Sequence, residues 1–332
     1  MFLFKKKIYS YLYILFLILV FNFSEFSTNN ALSKNFIISE VKVEEKYNLN
    51  FDKSKVIDKG FLKAFNILIY KILEKKDQSQ IKKTSIQEVK YLIDNFSILN
   101  ETFINQKYQS ILEVQFDRKK IIQFLDSKKI FSSLPKEIES FILPILIDSK
   151  NNELYYLNQN IFFNLWDDVS ESHFLIKYVL PNEDIEDHLI IKKKINNLEN
   201  YNFNEIIKKY NLKNYIIMIL LKNDNQLRLY SKIKFENKNI LMNNNFNNID
   251  IKNKDSIRNI ILEIKNLYED KWKSFNKINT TIVLPIRLSL DSKNIELSKK
   301  LENTLLNLDF VSDFKIEKFN NNETIYKIIF NS

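Results

Sequence analysis

Only one of the 332 residues, Gly60, is glycine. So little glycine excludes loops in which the backbone must approach a ligand without a Cβ in the way. A phosphate-cradling loop, a dinucleotide-binding fingerprint and a nucleophile elbow each need glycines at fixed spacing, so none of them is present. Gly60 falls inside a helical pattern, where it costs about 1 kcal/mol relative to alanine. It is therefore expected to mark a tight helix–sheet contact. Lys, Asn and Ile are abundant while Gly and Pro are scarce, a skew typical of AT-rich coding sequence, and asparagine is expected to fill the loops.

The amino terminus carries an address. Lys5, Lys6 and Lys7 precede a nearly unbroken apolar run over residues 8–23, and a polar segment over 24–34 follows. A basic stretch followed by an apolar core is the pattern of a secretory signal. The run is long for a signal and short for a span of about 20 residues. Small residues belong before a cleavage point, yet the chain offers Ser24-Glu25-Phe26-Ser27 and Asn29-Asn30-Ala31. The expectation is a periplasmic protein. It is either freed by cleavage of a signal within 1–31, the favoured reading, or tethered to the inner membrane by a lone apolar helix over 8–23. With no cysteine, lipoprotein processing, disulfides, thiol catalysis and thiolate metal sites are all excluded.

A hydrophobic content of 45%, with 14% aromatics, supplies ample material for cores. The formal charge is +9, of which Lys5–Lys7 against Glu25 supply +2 and the rest of the chain +7. The lysines are interleaved with acids, as in Glu44-Glu45-Lys46 and Glu74-Lys75-Lys76, and read as solvated faces. No nucleic-acid partner is expected from them. A peripheral attraction to anionic membrane or cell-wall polymer remains as an expectation.

Periodicity predicts a strand over 36–47 and a helix opened by Asp52, with Ile57, Phe61, Phe65, Leu68 and Ile72 on its apolar stripe. A short helix over 85–92, a hairpin turning at Asn105-Gln106, a helix capped by Asp117 and a strand over 141–147 follow. The second half predicts a helix over 160–166, a strand over 173–180, helices starting at Pro181-Asn182 and at Asn204, and a hairpin turning at Asp224-Asn225. The Asn-rich stretch 237–253 reads as a loop or frayed hairpin. A long helix through Ile257, Ile264, Tyr268 and Trp272, then a β-α-β-β ending, close the chain. The fold class is α+β: two to three small domains of mainly antiparallel sheets with helices packed on one face, preceded by a signal or anchor helix. The predicted boundaries are 1–31, 35–137, 138–253 and 254–332. Leu143-Pro144-Ile145 and Leu284-Pro285-Ile286 echo one another, and proline confines each to a sheet edge, a strand start or a bulge.

Candidate chemistry is sparse. Asp184 and His188 share a helical face, with Asp187 beside them, which suits either a metal or acid–base work. Acids also gather at helix starts simply to complement the dipole. Trp166-Asp167-Asp168 sets an aromatic beside two carboxylates, as sugar-binding clefts do, although a tryptophan ending a helix also serves as a core anchor. His173 falls at a strand start. No catalytic set, cofactor or metal site is expected from these residues.

In order and spacing, several of these pieces resemble an exported bacterial family known as domain of unknown function twenty-sixty-six. The resemblance rests on Tyr108-Gln109-Ser110-Ile111-Leu112-Glu113-Val114-Gln115-Phe116-Asp117, on Leu143-Pro144 and Trp166, on Pro181 with Asp184 and Asp187, and on Trp272. It covers about residues 35–330, and the chain departs from the family in its scarcity of Gly and Ala. It implies location and architecture, not an activity. The expected role is a non-enzymatic envelope protein that binds another envelope protein or a cell-wall component. The alternative is an exported hydrolase using Asp167, Asp168, Asp184 or Asp187 on glycan or peptide.

Overall fold

The computed structural model describes residues 36–278, 283–308 and 311–331. Within them lie twelve strands and nine α-helices, arranged as three sheets that are mostly antiparallel. The α+β class is as expected. The leader helix and its spacer lie outside the described residues.

The first sheet has the order β1-β3-β2, from β1 (Ile37–Lys46), β2 (Ile93–Ile104) and β3 (Lys107–Phe116), and both pairings are antiparallel. At the β2–β3 turn Asn105 and Gln106 both take positive φ, 51° and 59°, doing what glycine usually does in a two-residue hairpin. Helix α1 (Lys53–Ile72) begins at Asp52, whose carboxylate accepts from the N–H groups of Ser54 and Lys55. It buries Val56, Gly60, Phe61, Phe65, Leu68 and Ile72 on this sheet. A Cβ at Gly60 would collide with Leu112 Cδ1 and crowd Val43 Cγ1, so the close helix–sheet contact is real. After the short α2 (Lys75–Gln78), helix α3 (Ile86–Leu92) carries a reciprocal capping box between Ser85 and Glu88. Asp117 caps α4 (Arg118–Ser127).

The middle sheet is mixed. Strand β4 (Ile138–Asp148) pairs in parallel with β7 (Tyr215–Asn223) on one side. On the other it meets β6 (Ile176–Val179) in parallel at one end and β5 (Glu153–Tyr155) antiparallel at the other. Strands β8 (Gln226–Phe235) and β9 (Lys238–Phe246) complete it. Pro144 therefore sits within an interior strand, not at an edge. It lies in the gap between β5 and β6, where no strand pairs and the buried Asn160 donates from Nδ2 to the Pro144 carbonyl at 3.1 Å.

Alternate residues of β4 and β7 feed two cores. Ile142, Leu146 and Met218 face α5 (Ile161–Leu165) and α8 (Lys254–Phe275). Leu143, Ile145 and Ile217 face α6 (Ile185–Lys193) and α7 (Asn204–Lys208). The middle sheet thus carries helices on both faces, where one was expected. Helix α8 also packs here, so the boundary drawn at 254 cuts through one core. The Asn-rich stretch yields strand β9, and α6 starts four residues later than its proline, with Asp184 as its cap.

The last unit orders its sheet β10-β12-β11, from β10 (Val283–Asp291), β11 (Val311–Phe319) and β12 (Glu323–Asn331). Helix α9 (Ile295–Asn307) packs Leu301 and Leu305 against Tyr326 and Ile328. Pro285 lies on an edge strand, as its sequence required.

Candidate ligand-binding groove

Helix α8 organises the interior around a row of charges. Lys265, Glu269 and Lys273 follow one another at intervals of four and are all buried, among Ile261, Ile264, Tyr268 and Trp272. Buried charge is tolerable only when paired and hydrogen-bonded, and each of these is spent on backbone. Lys265 Nζ donates to the carbonyls of Trp166 (2.8 Å) and Val169 (2.6 Å), over the rings of Trp166 and Tyr178. Glu269 accepts from the N–H groups of Leu175 and Ile176 at 2.9–3.0 Å. Lys273 Nζ donates to the Tyr70 carbonyl at 2.6 Å. Burial pulls the Lys265 ammonium down to about 8, lowers Lys273, and raises Glu269 against the pull of its two N–H donors.

Lys265 and Glu269 thereby fix the irregular segment 166–176, and Lys273 fixes the end of α1. Between these two braced walls runs a groove of about 640 Å³, within the range of small-ligand sites. One wall is a stripe of α1, where Lys59, Lys63, Asn66 and Tyr70 succeed one another at helical spacing. The other brings Glu171, Ser172 and His173 together with Leu262 and Asn266 of α8, and Lys75 and Gln78 close one end. Lys63 Nζ donates to the Lys42 carbonyl at 2.9 Å, and Lys59 is ion-paired with Glu45. His173 lies against Tyr70 with ring centroids 5.1 Å apart. Burial, then the nearby Lys273 and Lys71, hold its imidazole down at about 4. The groove thus presents three lysines, one glutamate, several amides and two aromatic rings.

The residues singled out from sequence do not converge. Trp166 is fully buried in the α8-side core. Asp167 is exposed, and the exposed Asp168 pairs with Arg258 at 3.0 Å. Asp184 and Asp187 lie with α6 on the opposite face of the sheet, where Lys209 Nζ bridges them at 2.6 and 2.8 Å. That bridge, together with the N–H groups Asp184 caps, holds the Asp184 carboxyl below its usual range. His188 packs its ring 5.4 Å from Tyr156. Asp187 is buried, and its Oδ2, like the Tyr156 hydroxyl, has no hydrogen-bond partner. This cluster is an ion-paired helix start. Among the described residues no group of three or more His, Asp or Glu is placed to hold a metal ion, and no helix is long and apolar enough to cross a membrane.

Sequence reasoning missed the charged row of α8 and the groove. Both were written as helical stripes, Lys265-Glu269-Lys273 and Lys59-Lys63-Asn66-Tyr70, beside apolar faces whose period is easier to read. No family model and no curated protein matches this chain.

Proposed function

We propose that this chain is a non-enzymatic exported envelope protein that holds an anionic cell-wall component in the groove between its first and middle units. The observation that carries the reading is the groove's lining. Ammonium groups of Lys63 and Lys75 offer charge beside the Glu45-paired Lys59, amides of Asn66, Gln78 and Asn266 offer paired donors and acceptors, and Tyr70 offers a ring face for a sugar. The leader pattern and the motif order resembling an exported family support the address. Against the alternative hydrolase reading, its four aspartates are split between two faces of one sheet, with Asp184 and Asp187 tied to Lys209 and Asp168 to Arg258.

Titration calorimetry with soluble muropeptides, whose peptide stems are anionic, tests the reading. Binding is expected to weaken with added salt and to fall roughly tenfold in a Lys63→Ala, Lys75→Ala double variant, at about 0.5–1 kcal/mol for each exposed charge. Absence of muropeptide binding by the unaltered protein at low salt would overturn it. A partner envelope protein has a separate candidate surface. Strand β10 is a sheet edge, with Leu284 and Ile286 about half exposed beside Pro285, and such an edge accepts an added strand.

A further inference from the structure

We infer that the end of the first unit formed by residues 47–51 and 103–107 is a tip that inserts into the interface of an anionic lipid bilayer. Two loops meet there. The Tyr47 N–H donates to the Gln106 carbonyl at 2.8 Å, and Lys46 and Lys107 face each other in register. The paired loops carry four large apolar side chains outward: Tyr47 is 53% exposed, Leu49 105%, Phe103 57% and Ile104 54%.

These side chains are not loosely hung. Tyr47 and Phe103 contact edge to face at 5.2 Å, and Phe103 and Phe51 each meet the buried Tyr108 at 5.1 Å. A rigid aromatic base thus holds an apolar point out into solvent, at a standing hydration cost that burial would remove.

Shape and charge select the partner. The tip is a protrusion, with Leu49 fully exposed at its point. A protein partner would need a matching hollow, whereas a fluid interface closes around any convex apolar point. A Tyr ring is suited to the depth of lipid headgroups, and Phe and Leu side chains to the acyl boundary beneath them. The side chains interspersed at the point, Asn48, Asn50, Asn105 and Gln106, are uncharged, and Lys46 and Lys107 stand at its base. No Asp or Glu occurs in residues 46–51 or 102–109. Glu44, which pairs with Lys107 at 2.5 Å, lies one step behind the tip. At that base Asp52 is turned to the N–H groups of α1 that it caps and Glu44 to Lys107, which leaves Lys46 as the cation offered to an anionic surface. The tip involves none of the groove residues, so either surface can fail its test without the other.

The absence of cysteine makes the test direct. Leu49→Cys in the full chain gives a single site for an environment-sensitive fluorophore, and Asn196→Cys, exposed on the far side of the middle unit, gives the control. With vesicles of phosphatidylglycerol and phosphatidylethanolamine, the label at 49 is expected to shift to the blue and to be quenched by brominated acyl chains, while the label at 196 is not. Pure phosphatidylcholine vesicles should give a much smaller shift. Adding Lys46→Ala and Lys107→Ala should weaken partitioning roughly tenfold. An unshifted label at 49 overturns the inference. So does an equal response at 196, which means unoriented attachment through residues 8–23. A shift that grows with protein concentration without vesicles assigns the tip to a second copy and overturns it too.

Discussion

His173 shows how one side chain can carry the pH response of the groove. Its ring is wedged between Tyr70 and Phe174, at 5.1 and 5.0 Å, with Lys273 and Lys71 close enough to oppose a positive charge. Its folded pKa of about 4 lies below the ordinary 6.5, so between these values the unfolded chain binds a proton that the folded chain refuses. Stability is then fully present above about 6.5 and is progressively lost as pH falls toward about 4. Replacing the imidazole by a ring that cannot titrate, in His173→Phe, is expected to flatten the decline between pH 6.5 and about 5, where carboxylates contribute little. Urea unfolding midpoints of the two proteins across that range check this, and parallel declines would show that His173 is not the group responsible. At the same scale Gly60 was readable from sequence, because a glycine inside an apolar helix costs stability unless a close neighbour leaves no room for a Cβ. The role of His173 was not, because the groups that set it arrive from residues 70 and 273.

Among the elements, α8 does the most to define the interior, and Glu269 is the point at which it is most exposed to damage. The carboxylate satisfies the N–H groups of Leu175 and Ile176 where β6 begins, a place where no strand ladder does so. Glu269→Ala leaves two buried donors without an acceptor and an uncompensated Lys273 nearby, at an expected cost of about 3–5 kcal/mol. Glu263→Ala on the exposed face of the same helix should stay within about 0.5 kcal/mol. Equal losses in chemical denaturation would mean that the buried carboxylate holds nothing. The helix itself was legible, since its apolar face recurs at helical period from Ile257 to Trp272. Its buried charges were not, because charged positions beside an apolar stripe ordinarily mark the stripe's solvated border. Strand β9 was masked in a similar way. Ile240, Met242 and Phe246 keep a period of two, but asparagine between them has low strand propensity, and composition outweighed the pattern. The hairpins at Asn105 and Asp224 were legible because turn residues stood between alternating runs. The two-sided middle sheet was not, because β4 and β7 are apolar on both faces and so lack the alternation that reveals a side.

At the scale of the whole molecule, the groove exists because two units far apart in sequence are locked together around the end of α1. Lys273 Nζ donates to the Tyr70 carbonyl at 2.6 Å, among the last carbonyls of that helix, which have no partner within it. Asp270 accepts from the Lys75 N–H at 2.9 Å, Glu74 pairs with Lys277 at 2.6 Å, and the Ile72 carbonyl accepts from both the N–H and the hydroxyl of Ser133. Ordinary interfaces between units of one chain are polar and permit relative motion; here the polar groups are backbone atoms of a helix terminus, which fixes orientation as well as contact. Lys273→Met keeps the length of the side chain and removes its charge and donor. A hydrogen bond from a charged donor contributes about 1.5–3 kcal/mol, so local opening of this junction should rise roughly ten- to a hundredfold. Native-state hydrogen exchange is the measurement. Faster exchange is expected at Leu73, whose N–H closes the last turn of α1 on the Ile69 carbonyl, and at Ser133 and Lys75. The amides of β7 and β8 keep their protection because their ladder does not pass through the junction. If exchange instead quickens equally in the middle sheet, the two units unfold as one and the junction is not a separable lock.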